Sequence, residues 1–437
     1  MNYDITIFSD FQNNRTDYIF SYLLSELLGL KMIHTMNLEE ANASEGPVIY
    51  YTNTDIPEKL CIRPAGLLNE STIKGRKIET GVWDGLTVLF AGDPSLPVPF
   101  DIFSASFWMI SRYEEYLDHS HDMHGRFPAR ESLAFRAGFL DLPVVNLWAH
   151  KLAEVLRMYY PALKTKKKRF HWRTSIDIDY TWAFLNKGFL RSFGGLTAAF
   201  FRGKDYKKRL RVLNGEEQDP FFTFETIRDI HKDFPEKLLL FTLAGKPGKY
   251  DPNPRADNEE WRELFSGLAK DYQLGIHPSY RSNHSFRILK EEFETLGELV
   301  PYPLINSRQH FLKLKFPHTY RNLLELGIKN DYSMGYPGQP GFRAGVCTPF
   351  HFYDLQKEEK TSLVVWPFTL MDRTLKDYLH KLPEESMDII LTYIEMVEKA
   401  GGWFIPVWHN DSFSDYGEWE GWKNVYIQMI ETLKSKS

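Results

Sequence analysis

The sequence predicts an α/β fold, with a distorted (β/α) barrel of about seven strands behind a smaller N-terminal α/β domain. Three observations point there. Past residue 165, strand-like apolar runs alternate with helical patterns. The polar residues suited to chemistry stand at the C-terminal ends of those runs. A charge run after Pro161, Thr165-Lys166-Lys167-Lys168-Arg169, reads as a solvated linker and splits the chain into residues 1–165 and 166–437.

Taken in order, the first part offers apolar strands at Ile5–Phe8, Val48–Tyr51 and Leu86–Phe90. A helical pattern at Tyr18–Leu30 lies between the first two, and longer ones follow at Phe103–Leu117 and Val144–Tyr160. The second part has strand-like runs at Thr174–Ile178, Leu238–Leu243, Leu274–His277 and Ile305–Leu312. Lys329–Met334, Leu363–Phe368 and Trp403–Trp408 complete the series. Helical stretches such as Glu259–Tyr272, Leu289–Leu299, Thr319–Leu326 and Met387–Ala400 separate most of them. Such alternation makes a parallel sheet, whose strand C-termini open on one face. In a (β/α) barrel that face carries the active site.

Composition narrows the function classes. The 437 residues exceed one typical domain, and 43% hydrophobic with 25% charged residues suits a globular core. A net charge of -5 provides no basic field for nucleic acid. Two cysteines, Cys61 and Cys347, make no disulfide framework and suit a reducing compartment. The start MNYDITIFSD lacks a signal-peptide pattern, and no apolar run is long enough for a membrane span, so a cytoplasmic protein is expected.

Four constellations carry chemistry. Asp177-Ile178-Asp179 places two carboxylates on one side of an extended strand, an arrangement that calls for a cation. A divalent metal at Asp179 and Arg343 beside Asp177 would supply the charge. His277, ending Leu274-Gly275-Ile276, is positioned as a metal ligand. His409, ending Val407-Trp408, has the near-neutral pKa of a general acid. Phe342-Arg343-Ala344-Gly345 offers a guanidinium fork to orient a carboxylate. His119, His121 and His124 lie in a polar, glycine-containing segment and read as solvated rather than metal-bound.

In this order, these segments resemble the polysaccharide deacetylase (carbohydrate esterase, NodB-homology) family. The likeness rests on Thr174–Asp179, His277 onward, Arg343-Ala344-Gly345 and Val407-Trp408-His409. A bacterial branch also shows runs like Ser307-Arg308-Gln309-His310 and Asp331–Tyr336, and an N-terminal domain of uncharacterised role with a segment like Ser111–Tyr116. The resemblance covers essentially the whole chain. It departs where the family repeats a histidine four residues after the first, here Arg281, and where it has a proline, here Ala344. Arginine cannot act as that ligand. His310, ending another strand-like run, is the expected third ligand, with His284 a looser candidate.

The resemblance implies metal-dependent removal of N- or O-acetyl groups from a carbohydrate. Asp177 is then base, His409 acid and Arg343 their catalytic partner. Asp179, His277 and His310 hold zinc or another transition metal, and Tyr280, Trp408 and Asp372 contact substrate. Two alternatives stay open: a catalytically decayed carbohydrate-binding or assembly protein, and an amidohydrolase acting on a small non-sugar amide.

Overall fold

The computed structural model describes residues 4–166, 169–186 and 206–436. Lys167 and Lys168 of the expected linker lie outside them. Short apolar runs become strands because β-branched and aromatic side chains pack on a pleated surface. In chain order the strands are β1 (Ile5–Ser9), β2 (Met32–Thr35), β3 (Val48–Tyr51), β4 (Cys61–Ile62), β5 (Thr80–Trp83) and β6 (Leu86–Leu89). Then come β7 (His171–Trp172), β8 (Thr174–Ile178), β9 (Leu238–Thr242), β10 (Gln273–Ile276), β11 (Asn306–Ser307) and β12 (Asn330–Asp331). β13 (Phe350–Asp354), β14 (Glu359–Val365), β15 (Trp403–Phe404) and β16 (Val407–His409) complete the set.

The protein is mixed α/β. An N-terminal parallel sheet has the order β2-β1-β3-β4. A larger eight-stranded sheet has the order β13-β14-β12-β11-β10-β9-β8-β16. It is parallel throughout except that β13 runs antiparallel to β14 at one edge. The chain leaving β14 first bonds the β12 side, through Trp366 N to Asp331 O and Phe368 N to Met334 O. It then bonds the opposite end of the sheet, where Thr369 N donates to Ile405 O and Val407 N to Leu370 O. On one face, Leu239, Phe241, Tyr332, Phe368, Ile405 and Val407 join a single apolar cluster. A larger core on the other side draws residues from both sheets and the helices. No helix among the described residues is long and apolar enough to cross a membrane.

Three expected elements change for physical reasons. The Ile305–Leu312 run keeps strand geometry only at Asn306–Ser307, because Phe311 and Leu312 turn into the left-handed region at φ 59° and 55°. Trp403–Trp408 splits into β15 and β16 around Ile405-Pro406, and Pro406 has no N–H to give a ladder. The Phe103–Leu117 helix stops at Ile110, and Arg112 adopts φ 53° before a 3₁₀ turn at Tyr113–Tyr116.

Candidate metal and acid–base site

The site grows from the alternation of β8. Ile176 and Ile178 enter the main core, so Ser175, Asp177 and, past the strand end, Asp179 face the other way. Both aspartates are buried at one wall of a cleft of about 330 Å³. His277 follows β10 and enters the same cleft, as do His310 and His409.

Each imidazole is aimed by its Nδ1. That of His277 donates to the Arg308 carbonyl at 2.6 Å, that of His310 meets Asp251 Oδ1 at 2.9 Å, and that of His409 meets Asp372 Oδ1 at 2.7 Å. With Nδ1 engaged on an acceptor, Nε2 keeps its lone pair for a cation or carries a proton to deliver. The Nε2 atoms stand 3.3, 3.6 and 3.9 Å from the Asp179 carboxylate, for His277, His310 and His409 respectively.

Ligand atoms of Asp179, His277 and His310 lie within 4.8 Å of one another. Asp179 Oδ1 is buried without a hydrogen-bond partner, a position a buried carboxylate oxygen tolerates when a cation completes it. One carboxylate and two imidazoles are also a donor set that suits zinc and its neighbours. Electrostatics agree. Burial works against charge on the His310 ring, yet Asp179 and Asp251 push its pKa up to about 9. Burial likewise opposes the Asp179 carboxylate, but the His310 charge and the adjacent His277 and His310 rings hold it well below the usual range. The Asp179 carboxylate and the His310 ring thus favour each other's charged forms.

The arrangement at Asp177 differs from expectation. Arg343 does not reach it. Arg308 does, donating from Nη1 to Asp177 Oδ1 at 2.8 Å, from Nη2 to Ser175 Oγ at 2.8 Å and from Nε to the Tyr332 carbonyl at 3.0 Å. Its side chain is 0% exposed and lies over the Phe241 ring. Asp177 Oδ2 stays on the cleft side, 3.8 Å from His277 Nε2. No local signal in the sequence singles out Arg308 over Arg343 for this role.

Arg343 instead forks onto Glu115 at 2.9 and 2.5 Å and caps the Gly335 carbonyl. Arg112 shares Glu115 and reaches Tyr336. This buried network ties the N-terminal segment to the loop after β12. Arg343→Ala is therefore expected to destabilise the fold by about 3 kcal/mol, the lower end for breaking a buried pair because Arg112 remains. Denaturant unfolding reads this. Undiminished stability with lost turnover would return Arg343 to the catalytic group.

Three further assignments are corrected or refined. Asp372 is 0% exposed and also accepts the His409 backbone N–H at 2.8 Å, so it aims His409 and has no surface for substrate. Trp408, also 0% exposed, packs against Trp422 and Tyr426 on the opposite face, as a residue next to His409 in a strand must. Tyr280 stands behind the wall, its ring 4.4 Å from Tyr250 and 5.2 Å from Phe311, which do line the cleft. Arg281 faces a separate surface cavity with Lys246 and Glu291. His284 Nε2 bonds Lys313 Nζ at 3.0 Å, outside the cleft. Among the described residues, His119, His121 and His124 form no metal-binding group. Sequence reasoning missed Arg308 and Asp251. Arg126 reaches the cleft from the N-terminal segment, where the sequence run His124-Gly125-Arg126 is expected to help wall it.

Residues 5–161 match a family of unknown function, DUF7033. No curated protein matches the chain. Among solved structures, a Mycobacterium smegmatis protein described as a polysaccharide deacetylase is similar, at 14% identity and a TM-score of 0.42 over 61% of this chain and 85% of that one. A PuuE allantoinase is similar at 12% identity and a TM-score of 0.39, over 61% and 85%. A CE4-family pseudoenzyme from Bacillus anthracis is similar at 10% identity and a TM-score of 0.30, over 62% and 62%. These are likenesses alone, and the chemistry of the cleft rests on the chain's own residues.

Proposed function

We propose that the protein is a metal-dependent hydrolase that removes an N- or O-acetyl group from a carbohydrate. We read its second part, residues 166–437, as a distorted NodB-like barrel and residues 1–165 as a separate α/β domain. The hydrogen bonds that carry the chain leaving β14 from the β12 side to the β16 end of the large sheet support the barrel. The observation that carries the function is the meeting, in one cleft, of a carboxylate–imidazole triad with a separately anchored carboxylate and a separately anchored imidazole.

Asp179, His277 and His310 would hold the metal. When bound, a divalent cation polarises an acyl oxygen and acidifies water. Asp177, with Oδ1 tied to Arg308, presents Oδ2 to accept the proton of the attacking water. Burial opposes charge on the His409 ring, but Asp372 raises its pKa to about 8, so the ring is protonated near neutrality. It donates that proton to the leaving nitrogen or oxygen. Asp372 holds the ring so that Nε2, not Nδ1, faces the cleft. Tyr250 and Phe311 supply apolar walls on which a sugar face can rest.

Elemental analysis and zinc titration of the wild type and His310→Ala test this reading, together with acetate release from acetylated amino sugars. The wild type is expected to bind zinc and release acetate. The variant should lose more affinity than the roughly 10–100-fold cost of removing an outer-shell partner. A wild type that binds sugar, takes up no metal and releases no acetate would establish the decayed reading instead. Turnover confined to small non-sugar amides would move the substrate class.

A further inference from the structure

We propose that Arg126 is a positioning residue for His310, so that the N-terminal region completes the metal site rather than standing beside it. The inference rests on the metal-site reading above. His310 is followed at once by two non-glycine residues in the left-handed region, Phe311 at φ 59° and Leu312 at φ 55°. L side chains rarely adopt that conformation, and two in succession persist only where the surroundings hold them. The local bond from Leu312 N to Gln309 O closes the turn without using the Phe311 carbonyl.

Arg126 takes that carbonyl, Nη1 donating to Phe311 O at 2.9 Å. The neighbouring His124 ring packs on the Phe311 ring at 4.8 Å. These two contacts come from a single loop of the N-terminal region, while the Tyr250 and Tyr280 rings pack on Phe311 from the second part of the chain. The loop is braced before it reaches the turn. Asp122 Oδ2 accepts from Arg126 Nε at 2.6 Å, and its Oδ1 accepts the backbone N–H groups of His124 and Arg126 at 2.9 Å each. Gly125, at φ 74°, makes the required bend. The guanidinium is consequently buried, with Arg126 5% exposed, and lies at the cleft wall. Asp251 sets the direction of the His310 ring, and Arg126 sets the backbone that carries it.

The test uses the full chain, stripped of metal by chelation, with zinc affinity measured by competition and cobalt(II) absorption reporting ligand geometry. Arg126→Met keeps the apolar stem and removes the donors. It is expected to weaken zinc binding by about 10–100-fold and to shift the cobalt bands, with circular dichroism unchanged. Arg126→Lys, which retains one donor for the Phe311 carbonyl, should recover part of the loss. Asp122→Asn loosens the same guanidinium without emptying its space and should weaken binding in the same direction by less. Met123→Ala, at a residue 87% exposed in the same loop, should change nothing. A wild type that binds zinc while Arg126→Met matches it in affinity and cobalt spectrum overturns the proposal and leaves the metal reading standing. Should Arg126→Met not fold, wild-type affinity and spectrum in Asp122→Asn overturn it equally. A changed KM for an acylated sugar with unchanged zinc affinity would make Arg126 a substrate contact and also overturn it. A wild type that binds neither zinc nor cobalt removes the metal reading and this inference together.

Discussion

Asp177→Asn is expected to lower acetate release from an acetylated sugar by about 10²–10⁴-fold, the usual worth of a general base. The substitution is nearly isosteric. The amide oxygen can still accept from Arg308 Nη1, now at 2.8 Å, so the strand end keeps its shape. What disappears is the basic oxygen on the cleft side. Zinc affinity should remain close to wild type, because the ligand group consists of Asp179, His277 and His310. The two measurements together separate a base from a ligand. Turnover equal to wild type in the pure variant would remove Asp177 from the mechanism, and a collapse in zinc affinity would make it a ligand.

His409→Ala is expected to cost a similar 10²–10⁴-fold on acetylated amino sugars, whose amine leaves only when protonated. The loss should be much smaller on 4-nitrophenyl acetate, whose phenolate departs without a proton. An equal loss on both substrates would assign His409 to something other than proton donation. The pH profile adds an independent check. The acid form of the ring is needed, so activity should decline as pH rises through the His409 pKa, raised to about 8 by Asp372 against the opposing effect of burial. Asp372→Asn removes the carboxylate that favours the charged ring. Its alkaline limb should therefore move to lower pH. A limb that stays in place would mean that another group controls it.

Much of this site was legible in the chain because it obeys local rules. The period of two along β8 puts Asp177 and Asp179 on one face. Parallel strands share the direction in which their C-termini open, so His277 and His409, far apart in sequence, face one cleft. The same period places Trp408 on the face opposite His409, although a tryptophan near a candidate sugar site invites the other assignment.

The remaining features depend on which segments meet in space. Either Arg308 or Arg343 had a fork suited to Asp177, and nothing local distinguishes them. The tertiary fold gives Arg308 to Asp177 and Arg343 to Glu115. A buried guanidinium must be neutralised by whatever carboxylate the packing delivers, and that carboxylate lies 131 positions away in one case and 228 in the other. His310 was visible as a strand-end histidine, but its turn, its Asp251 partner and the Arg126 bond to Phe311 all arise from long-range contacts. Local periodicity therefore determined which face each candidate occupies. Only tertiary packing decided which charges are paired, because pairing depends on distances that sequence separation does not set.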